Sequence, residues 1–234
     1  MDFKNTNWKE GKLSLLNYLK SIEDIKYREF TRKLTPGEFD IIGVRIPTLR
    51  KIAKSISNGD YRTFLKTDHR DIYELKMIRG FVIGNIKDIE EYREAFRAFV
   101  PLVDNWSVCD TFIAGSKIII KDRPYFFAIC QTLLSDRDEF KNRISFVILL
   151  TYFVNEEYIE KVLELIKGYR SECYYANMAL AWLLSVIYVK FPTKAKTVLK
   201  ENSFDEKVMN YTIRKIKDSY RVSREDKEWL KNVN

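Results

Sequence analysis

Residues 155–167 read NEEYIEKVLELIK, and the fold class is decided by how this stretch repeats its apolar positions. Tyr158, Ile159, Val162, Leu163 and Ile166 fall on one stripe of a 3.6-residue period, while Glu156, Glu157, Glu160 and Glu164 lie off it. That is the pattern of a helix with one face in a core. Its ends are marked as well: Asn155 suits the N-cap, Glu156 and Glu157 suit the positive end of the helix dipole, and Lys167-Gly168 supplies a cation and a stop.

Outward from this stretch, the same period predicts helices over about 8–20, 47–58, 70–86, 88–101, 104–120, 124–135, 137–153, 174–190, 192–202, 205–219 and 223–232. Ser223 followed by Asp226 resembles a capping box, and Pro47, Pro124 and Pro192 stand where a first helical turn tolerates proline. No strand series competes. Between about 26 and 46 the pattern is least regular, because Pro36-Gly37 interrupts it and Gly43 follows soon after, so a loop or a broken helix is expected there.

The helices come in pairs, an apolar one (142–154, 176–190) followed by an amphipathic one (155–167, 192–202). At an offset of 36 residues Ile148 falls on Leu184, Val162 on Val198 and Leu163 on Leu199, a HEAT-like period. The expected architecture is therefore all-α: HEAT-like helix pairs stacked into a curved α-solenoid, residues 1–234 forming a single domain with one inner surface for binding. A compact helical bundle is the alternative.

Composition agrees. With 46% hydrophobic and 32% charged residues, long disordered tracts are excluded, and 8 Gly and 5 Pro are too few for a hairpin-rich fold. Cys109, Cys130 and Cys173 are odd in number and widely spaced in apolar segments, so they read as reduced core thiols. The start, MDFKNTNWKEGK, has no apolar signal region, and the longest apolar stretch, Ile144 to Val154, is well short of the ~20 residues of a membrane span. A bacterial-type cytoplasmic location follows, without a membrane partner. A net charge of +8, from 41 Lys and Arg against 33 Asp and Glu, favours a polyanionic partner.

Several chemistries lack their signatures. The single histidine, His69 in KTDHRD, has no Cys or second His nearby to build a metal site and no nucleophile context for a triad, so it reads as a surface or capping residue. Neither GxxxxGK[ST] nor GxGxxG occurs, so no cofactor and no metal are expected. Gly80 and Gly84 in RGFVIGN read as points of close helix contact.

One constellation remains. In DNWSVCD, Trp106 and Asp110 are four residues apart and share a helix face, with Asp104 and Asn105 available as caps. KNRISFVILL puts Arg143 at the start of an apolar helix, where a guanidinium needs a phosphate or carboxylate, and ALAWLLSVIYVKFP carries Trp182. Singly, Trp106 and Trp182 read as packing residues, and Asp110 and Arg143 as ion-pair partners.

Together, the W-x-x-x-D pair, the Arg 33 residues after Asp110 and the Trp 39 residues after Arg143 resemble the AlkD-type HEAT-like repeat DNA alkylpurine glycosylases, in order and spacing. The likeness runs from about Ile42 (IGVRIPTLRKIAK) to Tyr220 (YTIRKIKDSYRV), and Tyr174-Tyr175 stands where that family carries aromatic residues. The resemblance implies DNA alkylation repair: removal of cationic N3- and N7-alkylpurines by a monofunctional DNA N-glycosylase without base flipping. Asp110 would stabilise the oxocarbenium-like deoxyribose, Trp106 and Trp182 would pack on the sugar, and Arg143 would hold a backbone phosphate. Lys117, Arg214, Lys215 and Lys217 would add phosphate contacts to double-stranded DNA. No cofactor and no obligate protein partner are implied. Members of that family carry a continuous N-terminal helix that enters the minor groove, whereas LTPGEFD places Pro36-Gly37 within the corresponding stretch, and Asn177-Met178 stands where a basic residue is expected. The alternative is a non-catalytic or weakly active helical-repeat module that binds nucleic acid or protein.

Overall fold

A computed structural model describes residues 2–8, 11–35, 37–67, 71–201 and 203–231. Pro36 and His69 lie outside the described residues, as do positions 9, 10, 70, 202 and 232 of the expected helices. Among the described residues the backbone forms α-helices joined by short links, and the only strand-like pairing is one isolated parallel bridge between Asp40 and Ile72.

The chain divides into two compact units, Met1–Asp122 and Arg123–Asn234. The first holds α1 (Gly11–Ser21), α2 (Ile25–Leu34), α3 (Ile46–Ser57), α4 (Tyr61–Lys66), α5 (Tyr73–Gly84), α6 (Ile89–Phe99) and α7 (Trp106–Gly115). Here α5 packs between α3 and α7 in one row, while the short α4 lies on α3 and α6 lies on α5. The second unit holds α8 (Arg123–Leu134), α9 (Glu139–Ile148), α10 (Ile159–Ile166), α11 (Tyr174–Lys190), α12 (Pro192–Lys200), α13 (Glu206–Asp218) and α14 (Arg224–Trp229). Its row is α9, α11 and α13, with α8 on α9 and α12 on α11.

This alternation of a row helix with a flanking helix is the repeat that the 36-residue offset predicted. Ile148 and Leu184 fall on the row helices α9 and α11, and Val162 and Val198 on the flanking α10 and α12. Row position explains apolarity. Because α11 is covered by α9, α12 and α13, it buries Ala176, Leu180, Leu183, Leu184, Ile187 and Tyr188 around most of its circumference. The flanking α10 buries only the stripe Ile159, Val162 and Ile166. Each fully buried aliphatic or aromatic side chain contributes about 1.5–3 kcal/mol, so each helix is held chiefly by its neighbours in the stack.

Local chemistry sets the ends. Side chains of Asp24, Asp60, Asp88, Asn105, Asp138 and Ser223 cap α2, α4, α6, α7, α9 and α14, each accepting from the backbone amide three residues on. Asn155 also accepts from the Tyr158 amide at 3.1 Å, but residues 156–158 form turns, so α10 begins at Ile159. Gly168 ends that segment with φ +74°.

Where a loop or a broken helix was expected, the ten-residue α2 starts on the Asp24 cap and ends at Leu34, and residues 37–45 carry no helix. Two expectations need correction. The expected 104–120 helix stops at Gly115, where the Ser116 hydroxyl turns back onto the Phe112 carbonyl at 2.8 Å, and residues 117–122 continue as a 3₁₀ helix. Cys109 and Cys130 are buried as expected, but Cys173 is half-buried, since it precedes α11 at its exposed end.

The irregular stretch after α2 is pinned from below. Glu74 on α5 is fully buried, and its carboxylate accepts from the backbone amides of Ile42 (2.9 Å), Gly43 (2.7 Å) and Val44 (3.2 Å). Gly43 has φ +100°, and a Cβ there would lie 2.5 Å from the Asp24 carbonyl oxygen, so glycine is required. Gly84 makes the expected close contact, since a Cβ would come within 3.2 Å of the Gly115 carbonyl oxygen. No helix among the described residues is long and apolar enough to cross a membrane.

Candidate functional site

Trp106 and Asp110 stand one turn apart on α7, both half-buried. The start of this helix is tethered more heavily than its sequence suggests. Asn105 caps it through the Val108 amide (3.0 Å), and Asp104 pairs with the buried ammonium of Lys76 on α5. The Tyr73 hydroxyl is hydrogen-bonded to the Ser107 hydroxyl at 2.7 Å, in a setting whose burial pushes the phenol pKa up to about 12. Lys76 also lies over the ring of Phe39, 5.1 Å from its centroid, and Phe39 stacks on Tyr73.

Trp106 is held by its edge. Its indole N–H donates to the Leu34 carbonyl at 2.9 Å, one of the last carbonyls of α2 and 72 residues away in sequence. The stretch beyond α2 is itself tied back, because the Arg32 guanidinium donates to the carbonyls of Gly37 (3.2 Å) and Phe39 (2.6 Å). Thus α2, α5 and α7 together set the position of the indole.

In the second unit, Arg143 is buried and its Nη1 donates to the Tyr175 carbonyl at 2.9 Å. Glu139, one turn earlier on α9, accepts from the Tyr175 amide at 2.6 Å, and the Phe140 ring stacks on that of Tyr175 with centroids 5.6 Å apart. Three residues of the first turns of α9 thereby clasp the first turn of α11. Tyr174, 54% exposed, packs edge-on against Tyr175 and against Tyr211 of α13. Asn177 is buried and donates to the Ser171 carbonyl at 2.7 Å, which makes it a loop tie.

Trp182 is half-buried and lines a cavity of about 590 Å³ with Ser185, Lys215, Tyr220 and Arg221. Of the four basic candidates, Lys215 reaches this cavity, Lys217 is half-buried, and Arg214 and Lys117 are exposed. Trp106 and Asp110 therefore belong to one unit, and Arg143, Trp182 and Tyr174-Tyr175 to the other. Among the described residues no three His, Cys, Asp or Glu side chains converge as a metal site would require.

Sequence reasoning missed Tyr73, Lys76, Leu34 and Glu139. Of these only Glu139 leaves a local signal, its i, i+4 spacing to Arg143. The others act across separations that periodicity does not register.

All-helical rows with flanking helices, carrying a half-buried indole and carboxylate on one helix face, define a helical-repeat protein. A family model for DNA alkylation repair enzymes matches residues 15–216, and the chain belongs to that family. Its role is accordingly in the repair of alkylated DNA, with DNA as the substrate. No curated protein matches the chain.

Proposed function

We propose that this protein is a monofunctional DNA N-glycosylase that releases cationic N3- and N7-alkylpurines from double-stranded DNA. The observation that carries the reading is the first turn of α7, where Trp106 is fixed through its N–H and Asp110 follows one turn later. A cationic purine is already a good leaving group, so the enzyme's task is to stabilise positive charge growing on the deoxyribose. A fixed carboxylate does this electrostatically and can orient the attacking water. The indole face favours the same charge through its π system, and a face held by an edge hydrogen bond loses little freedom on binding.

In the second unit Trp182 is assigned a sugar contact. Arg143 is assigned a backbone phosphate, with its bond to the Tyr175 carbonyl fixing the plane of the guanidinium fork. Lys117, Arg214, Lys215 and Lys217 are assigned sequence-independent phosphate contacts. The groups named in this scheme supply all of the chemistry it uses.

Incubation with methylated duplex DNA should release free alkylpurine, and Asp110→Asn should lower the single-turnover rate by about 10²-fold or more. Base loss no faster than the spontaneous rate rejects the reading. A second reading has one specific observation in its favour: α2 ends at Leu34, so the N-terminal helix is interrupted. A helical-repeat module that binds DNA without excising bases would show salt-dependent affinity and no base release.

A further inference from the structure

The C-terminal ends of α5 and α7 meet at Gly84 and Gly115, where the missing side chains leave bare backbone beside an open cavity of about 460 Å³. Its charged lining residues are Arg50, Lys87, Lys117 and Lys121, all exposed, and no carboxylate lines it. None of the four makes an ion pair among the described residues, whereas cations elsewhere are commonly paired, as Arg62 is with Glu91, Arg93 with Asp122 and Lys194 with Glu160. Arg50 is steadied instead by the face of Phe81, 4.2 Å from the ring centroid.

A simpler account is that these lysines only complement helix dipoles. Two helix C-termini present about one unit of negative charge between them, at roughly half a charge each. Four cations exceed that by about three charges. An uncompensated cluster of this size around a water-filled hollow is a site for a polyanion.

We infer that this cavity seats consecutive phosphates of a DNA strand, flanking the nucleotide that reaches Asp110. Gly115, which lines the cavity and ends α7, follows Asp110 by five residues, and at 1.5 Å per residue that is roughly 8 Å along the helix, or about two base steps of 3.4 Å. Asp110 and the cavity edge at Gly115 both lie on α7 of the first unit, so one helix sets the spacing between the phosphate seat and the carboxylate. The inference rests on the reading of DNA as the bound polymer and adds where its backbone is held.

The test is duplex DNA binding as a function of salt, comparing the wild type with R50Q/K87Q/K117Q/K121Q and with R62Q/K194Q/K207Q/K231Q. The second variant removes the same charge from cations that are paired with Glu91, Glu160, Glu172 and Glu228. Each phosphate contact contributes about 0.9 to the slope of log K against log salt. The cavity variant should therefore reduce the slope by about 2 to 4, and the control variant by less than 1. Equal slopes for the two variants overturn the phosphate seat while leaving DNA binding intact. A wild type without DNA affinity at low salt overturns the seat and the proposed function together.

Discussion

Trp106 is fixed through its ring edge, and this separates two contributions that one substitution would confuse. Trp106→Phe keeps an aromatic face but removes the N–H to the Leu34 carbonyl. Loss of one such bond costs about 0.5–1.5 kcal/mol, so base release should fall by roughly tenfold or less. Trp106→Ala removes the face as well and should cost distinctly more; equal losses in single-turnover assays would show that the face contributes nothing. The thiols offer an independent check on packing. Burial pushes Cys130 up to about 12, and Cys109 is also buried, so a thiol reagent at pH 8 should label Cys173 alone until the protein unfolds. Rapid labelling of all three in the native state would contradict the described core. The Trp106 and Asp110 pairing was legible because a spacing of four on a helix is local information. The Leu34 carbonyl was not, because a backbone group 72 residues away leaves no mark in composition or period.

The segment between α2 and α3 depends on one buried carboxylate and one glycine. Glu74→Ala would leave the buried amides of Ile42, Gly43 and Val44 without an acceptor. At about 1–3 kcal/mol for each unsatisfied group, the loss should reach at least ~3 kcal/mol, or a Tm lower by roughly 6–12 °C at 2–4 °C per kcal/mol. Glu74→Gln retains one acceptor oxygen and should recover part of it. Gly43→Ala should cost about 1–3 kcal/mol through its left-handed backbone. An unchanged Tm in thermal unfolding for both Glu74→Ala and Gly43→Ala would contradict this picture. This segment was the least legible part of the fold. The Pro36-Gly37 interruption was read correctly as a helix limit, yet α2 itself went unseen, since Ile25, Phe30 and Leu34 are exposed and no buried apolar stripe marks it. At six residues, α4 is too short for periodicity to detect. Conversely, the continuous period through 104–120 concealed the end of α7 at Gly115 and the change to 3₁₀ geometry that follows it.

For the whole molecule, the repeat was the most legible feature, because helix pairs that bury their faces only on neighbours must reproduce the same apolar pattern in each pair. Charge acts at this scale too. Lys141 holds Asp136 below the usual carboxylate range, Lys207 does the same for Glu172, and Lys196 for Asp226. Such depressed carboxylates stabilise the fold at pH values above their unfolded values, 3.8 for Asp and 4.5 for Glu. Their contribution is lost as the pH falls through those values toward the folded ones. The Tm should therefore hold between about pH 5 and 8 and decline below about pH 4.5, with added salt reducing the contribution of these exposed pairs. A Tm that rises on acidification from pH 5 to 3 would contradict this. The central claim concerns what the molecule does to alkylated DNA, and single-turnover release of free base from methylated duplex DNA tests it most directly. The wild type should release N3- and N7-alkylpurines well above the spontaneous rate, and Asp110→Asn should lose about 10²-fold or more of that rate. Equal release by wild type and Asp110→Asn would contradict the account.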